Sequence, residues 1–309
     1  EFTDLVNSGK SFSGKTVYLS KNLDLNGVTL EPIGNNNNKF EGTFEGNGYT
    51  LKNIKIESVT NYVGMFGYNK GTIRGFNVEN ISVKGNNNVG GIAGYNIGTI
   101  NSISLTGTIE GNSNVGGIAG HSEKNLSNVL LRDVSVKAKD TVGGITGYAV
   151  SGTSSGIIEN GSITGENYIN CSNGRTYYAG NYGAYCSNKV KINESLNTSG
   201  YDVGSDMLTY YNSYLDTIYG GDNDSDGYYF NYDNKGILKV VTTKEYPVEF
   251  NLKGSGTQED PYQIKSVNDF NNAAINQTTE RASSYYSLMN DIDFKDKKVY
   301  ILGLNTISF

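Results

Sequence analysis

Along much of the chain, apolar and polar residues alternate one by one, in segments that recur at a fixed spacing. A period of two is typical of β-strands, whose successive side chains point to opposite faces. The alternating apolar positions are Phe76, Val78, Ile81 and Val83, then Ile103, Leu105 and Ile109, then Val129, Leu131, Val134 and Val136. Val78, Leu105 and Leu131 are separated by steps of 27 and 26 residues. We therefore expect the strands from residue 40 to about 165 to pair in parallel with the strand 26 or 27 residues further on.

A glycine-rich motif returns at the same spacing. Its four copies are YVGMFGYNKGTI at 62–73, NVGGIAGYNIGTI at 88–100, NVGGIAGHSEKNL at 114–126 and TVGGITGYAVSG at 141–152. Self-similarity at a period of roughly 20 to 50 residues is typical of solenoids, in which each repeat packs only on its neighbours. The sequence thus predicts an all-β fold, a right-handed parallel β-helix with coils of about 26 to 27 residues. The motif glycines either reach positive φ at a corner or leave room for the backbone of the next turn.

These repeats resemble the GLUG motif of secreted bacterial surface proteins. The resemblance is carried by VGGIAGYN with the GTI that follows it, and by FEGTFEGNGYTLKNIKIE at 40–57, which precedes the repeats as it does in that family. It covers residues 1–165 and again 254–309. The family includes adhesins and the non-catalytic flanking region of some immunoglobulin A1 protease-type metallopeptidases. The resemblance implies a β-solenoid in an extracellular or cell-wall-attached bacterial protein.

The end of the chain resembles its beginning. YLSKNLDLNG near the start is matched by SLMNDIDFKD near the end, and Asp24 and Asp293 each lie ten residues before a glycine. This similarity predicts tandem units in a longer protein. The chain is divided into a β-solenoid with GLUG-like repeats over 1–165, irregular Tyr-rich final coils with an acidic loop over 166–253, and a junction with the truncated start of a second unit over 254–309.

A short amphipathic helix is predicted at the start of each unit. In the second unit, Ser266 is a helix N-cap and Asp269 follows it at the position of a capping box. The apolar face of this helix consists of Phe270, Ala273, Ala274 and Ile275. Such a helix covers the open end of a solenoid, where unpaired strand edges would otherwise favour aggregation.

The composition favours an exported β-protein and disfavours several partners. The 309 residues include 40 Gly and 24 Tyr, no Trp and 3 Pro. The net charge is −6 and no basic cluster occurs, so nucleic acid and anionic membranes are poor partners. No apolar run approaches the length of a membrane span. Because the sequence begins in the middle of the pattern and without Met, we expect a monomeric part of a longer tandem-repeat protein.

The two cysteines, Cys171 and Cys186, lie fifteen residues apart in the irregular region. In an exported protein they can form a disulfide if neighbouring coils bring their Cα atoms within about 7 Å. The sequence leaves this pairing open.

No constellation of residues predicts catalysis. His121 is the only histidine, which excludes a zinc site of several histidines, and it replaces the Tyr95 of the previous repeat as a surface aromatic would. A polysaccharide lyase or hydrolase would need two carboxylates about 5 to 10 Å apart. The charged column at the repeat spacing is instead Lys84, Glu110 and Lys137, whose alternating sign indicates a surface ion-pair ladder. We therefore expect no enzyme activity.

Tyrosine is concentrated between Tyr168 and Tyr232, a stretch that holds 13 of the 24. A large rigid ring with a polar tip suits the recognition of protein or glycan. The candidate recognition surface consists of Tyr177, Tyr178, Tyr182, Tyr185, Tyr210 and Tyr211. Alternatively these rings stack in ladders along the solenoid, since tyrosine is also a good strand residue.

The segment DNDSDG at 222–227 resembles the opening of an EF-hand calcium loop, in which alternate carboxylates converge and glycine permits the turn. The candidate Ca²⁺ ligands are Asp222, Asp224 and Asp226, the backbone carbonyl of Tyr228, and Asp233 at the twelfth position. Because that position lacks Glu and no clear helix follows, a solvated acidic turn remains the alternative.

The first expectation for function is a non-enzymatic structural and adhesive module of a bacterial cell-surface protein, presenting a recognition surface to a host protein or glycan. The second, implied by the resemblance, is an accessory region that positions a host glycoprotein for the catalytic domain of an immunoglobulin A1 protease-type metallopeptidase. The third is a carbohydrate-active β-helix enzyme. An HExxH motif elsewhere in the parent protein would separate the first two.

Overall fold

A computed structural model of the protein describes residues 1–124, 126–150, 154–171, 184–186, 190–196, 228–232, 237–242, 252–267, 269–270, 273, 281 and 283–293. The chain forms two compact units, Glu1–Thr243 and Lys244–Phe309. The first unit begins with the helix α1 (Phe2–Asn7), and a parallel β-solenoid of about seven turns follows it.

Three sheets run along the solenoid, and each turn contributes strands to them. The first sheet contains β1 (Thr16–Tyr18), β2 (Leu23–Asp24), β3 (Thr29–Leu30), β4 (Thr43–Glu45), β5 (Thr50–Lys52), β6 (Lys55–Glu57), β8 (Thr72–Lys84), β11 (Thr99–Gly111), β14 (Leu126–Ala138), β17 (Ser154–Thr164), β19 (Ala184–Cys186), β20 (Val190–Ile192) and β21 (Ser195–Leu196). The second contains β7 (Phe66–Asn69), β10 (Ala93–Asn96), β13 (Ala119–Ser122) and β16 (Thr146–Ala149). The third contains β9 (Asn87–Gly90), β12 (Ser113–Gly116), β15 (Thr141–Gly143) and β18 (Tyr168–Asn170).

The columns predicted from the repeat spacing are confirmed. Leu105 of β11 lies opposite Val78 of β8 on one side and Leu131 of β14 on the other. All three side chains are buried in one continuous core, because inward-facing apolar residues stack turn upon turn. The pairing is parallel, as the repeat predicts.

The motif glycines make room for the next turn. The copies at 88–100, 114–126 and 141–152 each supply a strand of the third sheet, a bend and a strand of the second sheet, whereas in the copy at 62–73 Val63 makes only an isolated bridge to Val89. A Cβ on Gly91 would lie 2.4 Å from the carbonyl oxygen of Gly117, and one on Gly117 would lie 2.3 Å from that of Gly144. Neither Gly91 nor Gly117 has a positive φ. Of the two roles expected for these glycines, close approach of backbones is therefore the one that the fold uses.

The predicted helix at the start of the chain packs on the first turns. Val6 of α1 is buried, and the ring of Phe2 makes edge contacts with Phe12 and Phe40 at centroid distances of 5.2 and 5.9 Å. The side chain of Asn7 accepts a hydrogen bond from the backbone of Gly34 at 2.7 Å. Helix α1 is thus part of the solenoid core beside β1, whose pairing partner is β4.

An antiparallel hairpin of β22 (Tyr228–Tyr232) and β23 (Leu238–Thr242) folds back onto the outer face of β8. The side chain of Asn77 donates to the carbonyl of Val240 at 2.9 Å and accepts from its N–H at 2.8 Å. The hydroxyl of Tyr228 donates to the buried carboxylate of Glu45. Polar groups of β4 and β8 that would otherwise face solvent are therefore paired by the hairpin.

Cys171, directly after β18, is disulfide-bonded. The sequence holds one other cysteine, Cys186, the last residue of β19. The disulfide that the sequence left open is thus present among the last turns of the solenoid.

The second unit contains a parallel pair of strands, β24 (Tyr262–Ile264) and β25 (Tyr286–Leu288). The predicted N-cap is present: Ser266 Oγ accepts from the backbone N–H of Asp269 at 3.2 Å and donates to its carboxylate at 3.0 Å. Helical residues follow, in which Ala273 is buried and Phe270 packs on the small core of this unit. Ala274 and Ile275 lie outside the described residues.

Candidate recognition surface

Most of the residues predicted from sequence to bind a ligand lie outside the described residues. This holds for the candidate calcium ligands Asp222, Asp224, Asp226 and Asp233, and for the candidate recognition residues Tyr177, Tyr178, Tyr182, Tyr210 and Tyr211. Tyr185 lies in β19, opposite Ile157 of β17. Tyr228 lies in β22 and its hydroxyl is hydrogen-bonded to Glu45. The calcium site stays a prediction.

The described part of the chain brings no three His, Cys, Asp or Glu side chains together in a group able to hold a metal ion. Among the same residues, no helix has the length and apolar character needed to cross a membrane.

Four rings form an aromatic ladder on the outer face of the second sheet: Tyr68, Tyr95, His121 and Tyr148, one from each of β7, β10, β13 and β16. Tyr68 and Tyr95 stack at 4.7 Å, and Tyr95 and His121 stack nearly parallel at 4.1 Å. His121 therefore takes the position of Tyr95 in the next turn, as predicted. Because the ring faces contact one another, the ladder is mainly packing between turns rather than an open platform.

Burial alters the acid–base properties of the ladder. Burial raises the pKa of Tyr95. The hydrogen bond that its hydroxyl donates to Glu123 at 2.6 Å raises this pKa further. Burial lowers the pKa of His121, an effect that the charge of Glu123 only partly opposes. The Nε2 of His121 has no hydrogen-bond partner among the described residues. His121 is therefore a neutral ring in the stack at neutral pH.

We expect the protein to lose stability as the pH falls below about 7, through His121. Its unfolded form binds a proton near pH 6.5, whereas the folded form has a lowered pKa. The unfolded state thus binds more protons in this window, so stability rises with pH and falls on acidification. His121→Tyr, which copies Tyr95 and Tyr148, should remove this part of the pH dependence. The melting temperatures of both proteins at about pH 7.5 and 5.5 are the measurement; parallel losses in the two proteins would contradict the expectation.

The predicted ion-pair column is present on the outer face of the first sheet. Glu110 lies opposite Lys84 and Lys137, and its carboxylate is 4.0 Å from the ammonium of Lys137. Glu57 pairs in register with Lys84 and extends the alternation by one turn. These side chains are exposed, so each pair contributes at most about 1 kcal/mol to stability.

A polar groove runs across successive turns at one corner of the solenoid, beside this column. Two cavities of about 480 and 840 Å³ adjoin there, since Glu57 and Ser58 line both. We call this feature the axial groove and define it by the lining residues Glu31, Glu57, Ser58, Asn61, Tyr62 and Asn86. Its walls consist mostly of amide, hydroxyl and carboxylate side chains from turns that follow one another. Sequence reasoning missed this groove because its residues, except Tyr62, lie outside the glycine motif.

An amide ladder lines the groove. Asn86 donates to the side-chain oxygen of Asn61 at 3.1 Å, and Asn112 donates to that of Asn86. Asn112 lines the same groove. Each of these amides keeps at least one N–H without a partner among the described residues. The ladder thus offers donors and acceptors at the spacing of the turns, about 4.8 Å.

The sequence and the fold were compared with protein-family models, with curated proteins and with solved structures, and no match was found in any of the three. The resemblance to GLUG repeats rests on the quoted motifs and stays a prediction.

Proposed function

We propose that this chain is a non-catalytic structural and adhesive module of a bacterial surface protein, in which the β-solenoid presents a recognition surface to a host protein or glycan. The observation that carries the proposal is the repetition of outward-facing polar and aromatic side chains in columns along a rigid support. Such a surface is preorganised, so a ligand that binds across several turns loses little free energy to ordering of the protein.

Two further features support an exported, structural role. Cys171 is disulfide-bonded, and structural disulfides are typical of oxidising compartments outside the cytosol. The hairpin covers the part of the outer face of β8 at Asn77, whose side chain pairs with the backbone of Val240. A solenoid whose polar groups are paired in this way is suited to hold its shape at a surface.

The purified chain should bind a host glycoprotein or glycan without converting it. We would incubate it with polysaccharides and with immunoglobulin A, supplemented with divalent metals, and analyse the products by mass spectrometry. In parallel, retention of these molecules by the immobilised chain would be measured, with heat-unfolded chain as the control. Stoichiometrically confirmed cleavage by the folded chain would overturn the proposal, as would a lack of retention of every protein and glycan tested.

A further inference from the structure

Tyr62, which lines the axial groove, has a backbone conformation that its residue type disfavours. Its φ is 63°, in the left-handed region. The bridge between Val63 and Val89 places Tyr62 at the corner that Asn88 occupies one turn later. Asn88 and, in the following turn, Asn114 have φ values of 55° and 53°. Asn tolerates this region far better than Tyr. Tyr62 thus keeps local strain that the residue of the next turns would relieve, and such strain is concentrated at binding sites.

The Tyr62 ring contacts the aromatic ladder and also lines the axial groove. The ring lies 5.5 Å from Tyr95 at an interplanar angle of 83°. Both faces of Tyr95 are occupied, by Tyr68 at 4.7 Å and His121 at 4.1 Å. Tyr95 therefore presents its edge to a face of Tyr62, which is the favoured geometry for such a pair. Tyr62 also lies 6.2 Å from Tyr68, and it is partly exposed where it lines the groove.

The polar side chains beside this ring match a ligand with many hydroxyl groups. Each hydroxyl both donates and accepts, and the amide ladder of Asn61, Asn86 and Asn112 offers both kinds of group in a row. Ser58, between the two cavities, adds a further hydroxyl. An aromatic face with adjacent amides binds a pyranose ring on its apolar side and its hydroxyls at the rim.

The charges and strand pairing of the groove disfavour the other classes of ligand. Glu31 and Glu57 both line it, and a hydrogen bond from Lys55, whose ammonium is 3.0 Å away, lowers the pKa of Glu57 and keeps it ionised. Lys84 lines the groove as well, so carboxylates and ammonium groups lie side by side there and form no basic patch for a nucleic acid or an acidic sugar. An added peptide strand needs a free sheet edge, whereas β6 and β8 are paired on both sides.

We propose that the axial groove is a binding site for an uncharged oligosaccharide that lies along the solenoid axis, with one sugar ring stacked on Tyr62 and its neighbours hydrogen-bonded to the amide ladder. This assignment rests on the proposed adhesive function and names its ligand class. It also gives a role to Tyr62 in its left-handed backbone conformation. Asn at the same corner would be less strained, but it would offer no aromatic ring on which a sugar could stack.

The test uses the full chain, isothermal calorimetry and a panel of uncharged hexose and N-acetylhexosamine tetramers. The wild type should bind at least one member. Tyr62→Asn, which installs the residue of the next two turns, should weaken that binding about tenfold or more while the melting temperature stays within a few degrees. Asn86→Leu should weaken it as well. Tyr168→Asn, at an exposed tyrosine of β18 outside the groove, should leave it unchanged.

The outcomes separate this inference from the proposed function. If the wild type binds a tetramer and Tyr62→Asn binds it equally well, the groove is not the site, whereas the adhesive function stands. If no uncharged tetramer binds, the inference is wrong and the retention of host proteins decides the proposed function. Loss of binding in Tyr62→Asn with an unchanged melting temperature supports the groove.

Discussion

Leu105→Asp is expected to remove a large part of the stability of the solenoid. Leu105 has 0% exposure and lies between Val78 and Leu131 in the stacked core. A carboxylate there has no cationic partner in the apolar column, and burying an unpaired charge costs about 4 kcal/mol or more. The total stability of a domain is only about 5 to 15 kcal/mol. Because each turn packs only on its neighbours, the damage at β11 removes the support of the turns on both sides.

Circular dichroism during urea unfolding measures this loss, and two variants of the same strand calibrate it. Leu105→Ala removes the apolar side chain without adding a charge and should cost about 2 to 5 kcal/mol. Thr108→Asp places a carboxylate on the exposed face of β11, opposite Ser82 and Ser135, and should change stability by less than about 0.5 kcal/mol. Equal unfolding midpoints for Leu105→Asp and Thr108→Asp would contradict the assigned register.

The register of the solenoid could be predicted from the sequence because two periods agree. The alternation fixes which residues of a strand point inward, and the repeat fixes which residue of the next turn each one meets. Leu105 is placed by both at once. The role of the motif glycines could not be predicted this way, because close approach of two backbones and a positive φ both favour glycine at the same position. The distance from a Cβ on Gly91 to the carbonyl of Gly117 decides between them.

The docking of the hairpin could not be predicted, because it is neither local nor repeated. Asn77 and Val240 are 163 residues apart in the chain. Asn77 and Ser104 occupy one register column, and Asn77 is joined to the hairpin by two side-chain hydrogen bonds to Val240. A contact that occurs only once leaves no periodic pattern in the sequence. Its two residues are distant in the chain and come into contact only when the chain has folded.

The axial groove could have been detected in the sequence by comparing the motif copies position by position. Placing the four motif copies in register sets Tyr62 against Asn88, Asn114 and Thr141. A bulky aromatic residue at a position that holds Asn in the next two turns indicates a local role. The amide ladder is harder to find, because Asn86 bonds to Asn61, which is 25 residues away and one position off the register.

A second ladder of polar side chains is buried inside the solenoid. The hydrogen bonds within it make Asn96 hard to replace. Asn69, Asn96 and Ser122 are 0%, 0% and 1% exposed. Asn96 accepts from the amide of Asn69 at 2.8 Å and donates to Ser122 Oγ at 3.0 Å. It also donates to the carbonyl of Gly98 at 3.0 Å and accepts from the Gly98 N–H at 3.3 Å. One side chain therefore satisfies polar groups of three turns, where water cannot replace it.

Asn96→Leu, similar in size, is expected to destabilise the protein by about 3 kcal/mol, because several buried donors and acceptors lose their partner while the apolar gain of Leu offsets only part of the cost. Ser122→Ala is the matched control. It gives the third turn the residue that the fourth turn already has at Ala149, directly opposite in register. This variant loses one hydroxyl and should cost about 1 kcal/mol. Urea unfolding of both variants measures the difference. If Asn96→Leu were as stable as the wild type, the buried amide would not be required by the hydrogen bonds that surround it, and the inner ladder would be an incidental feature of the repeat.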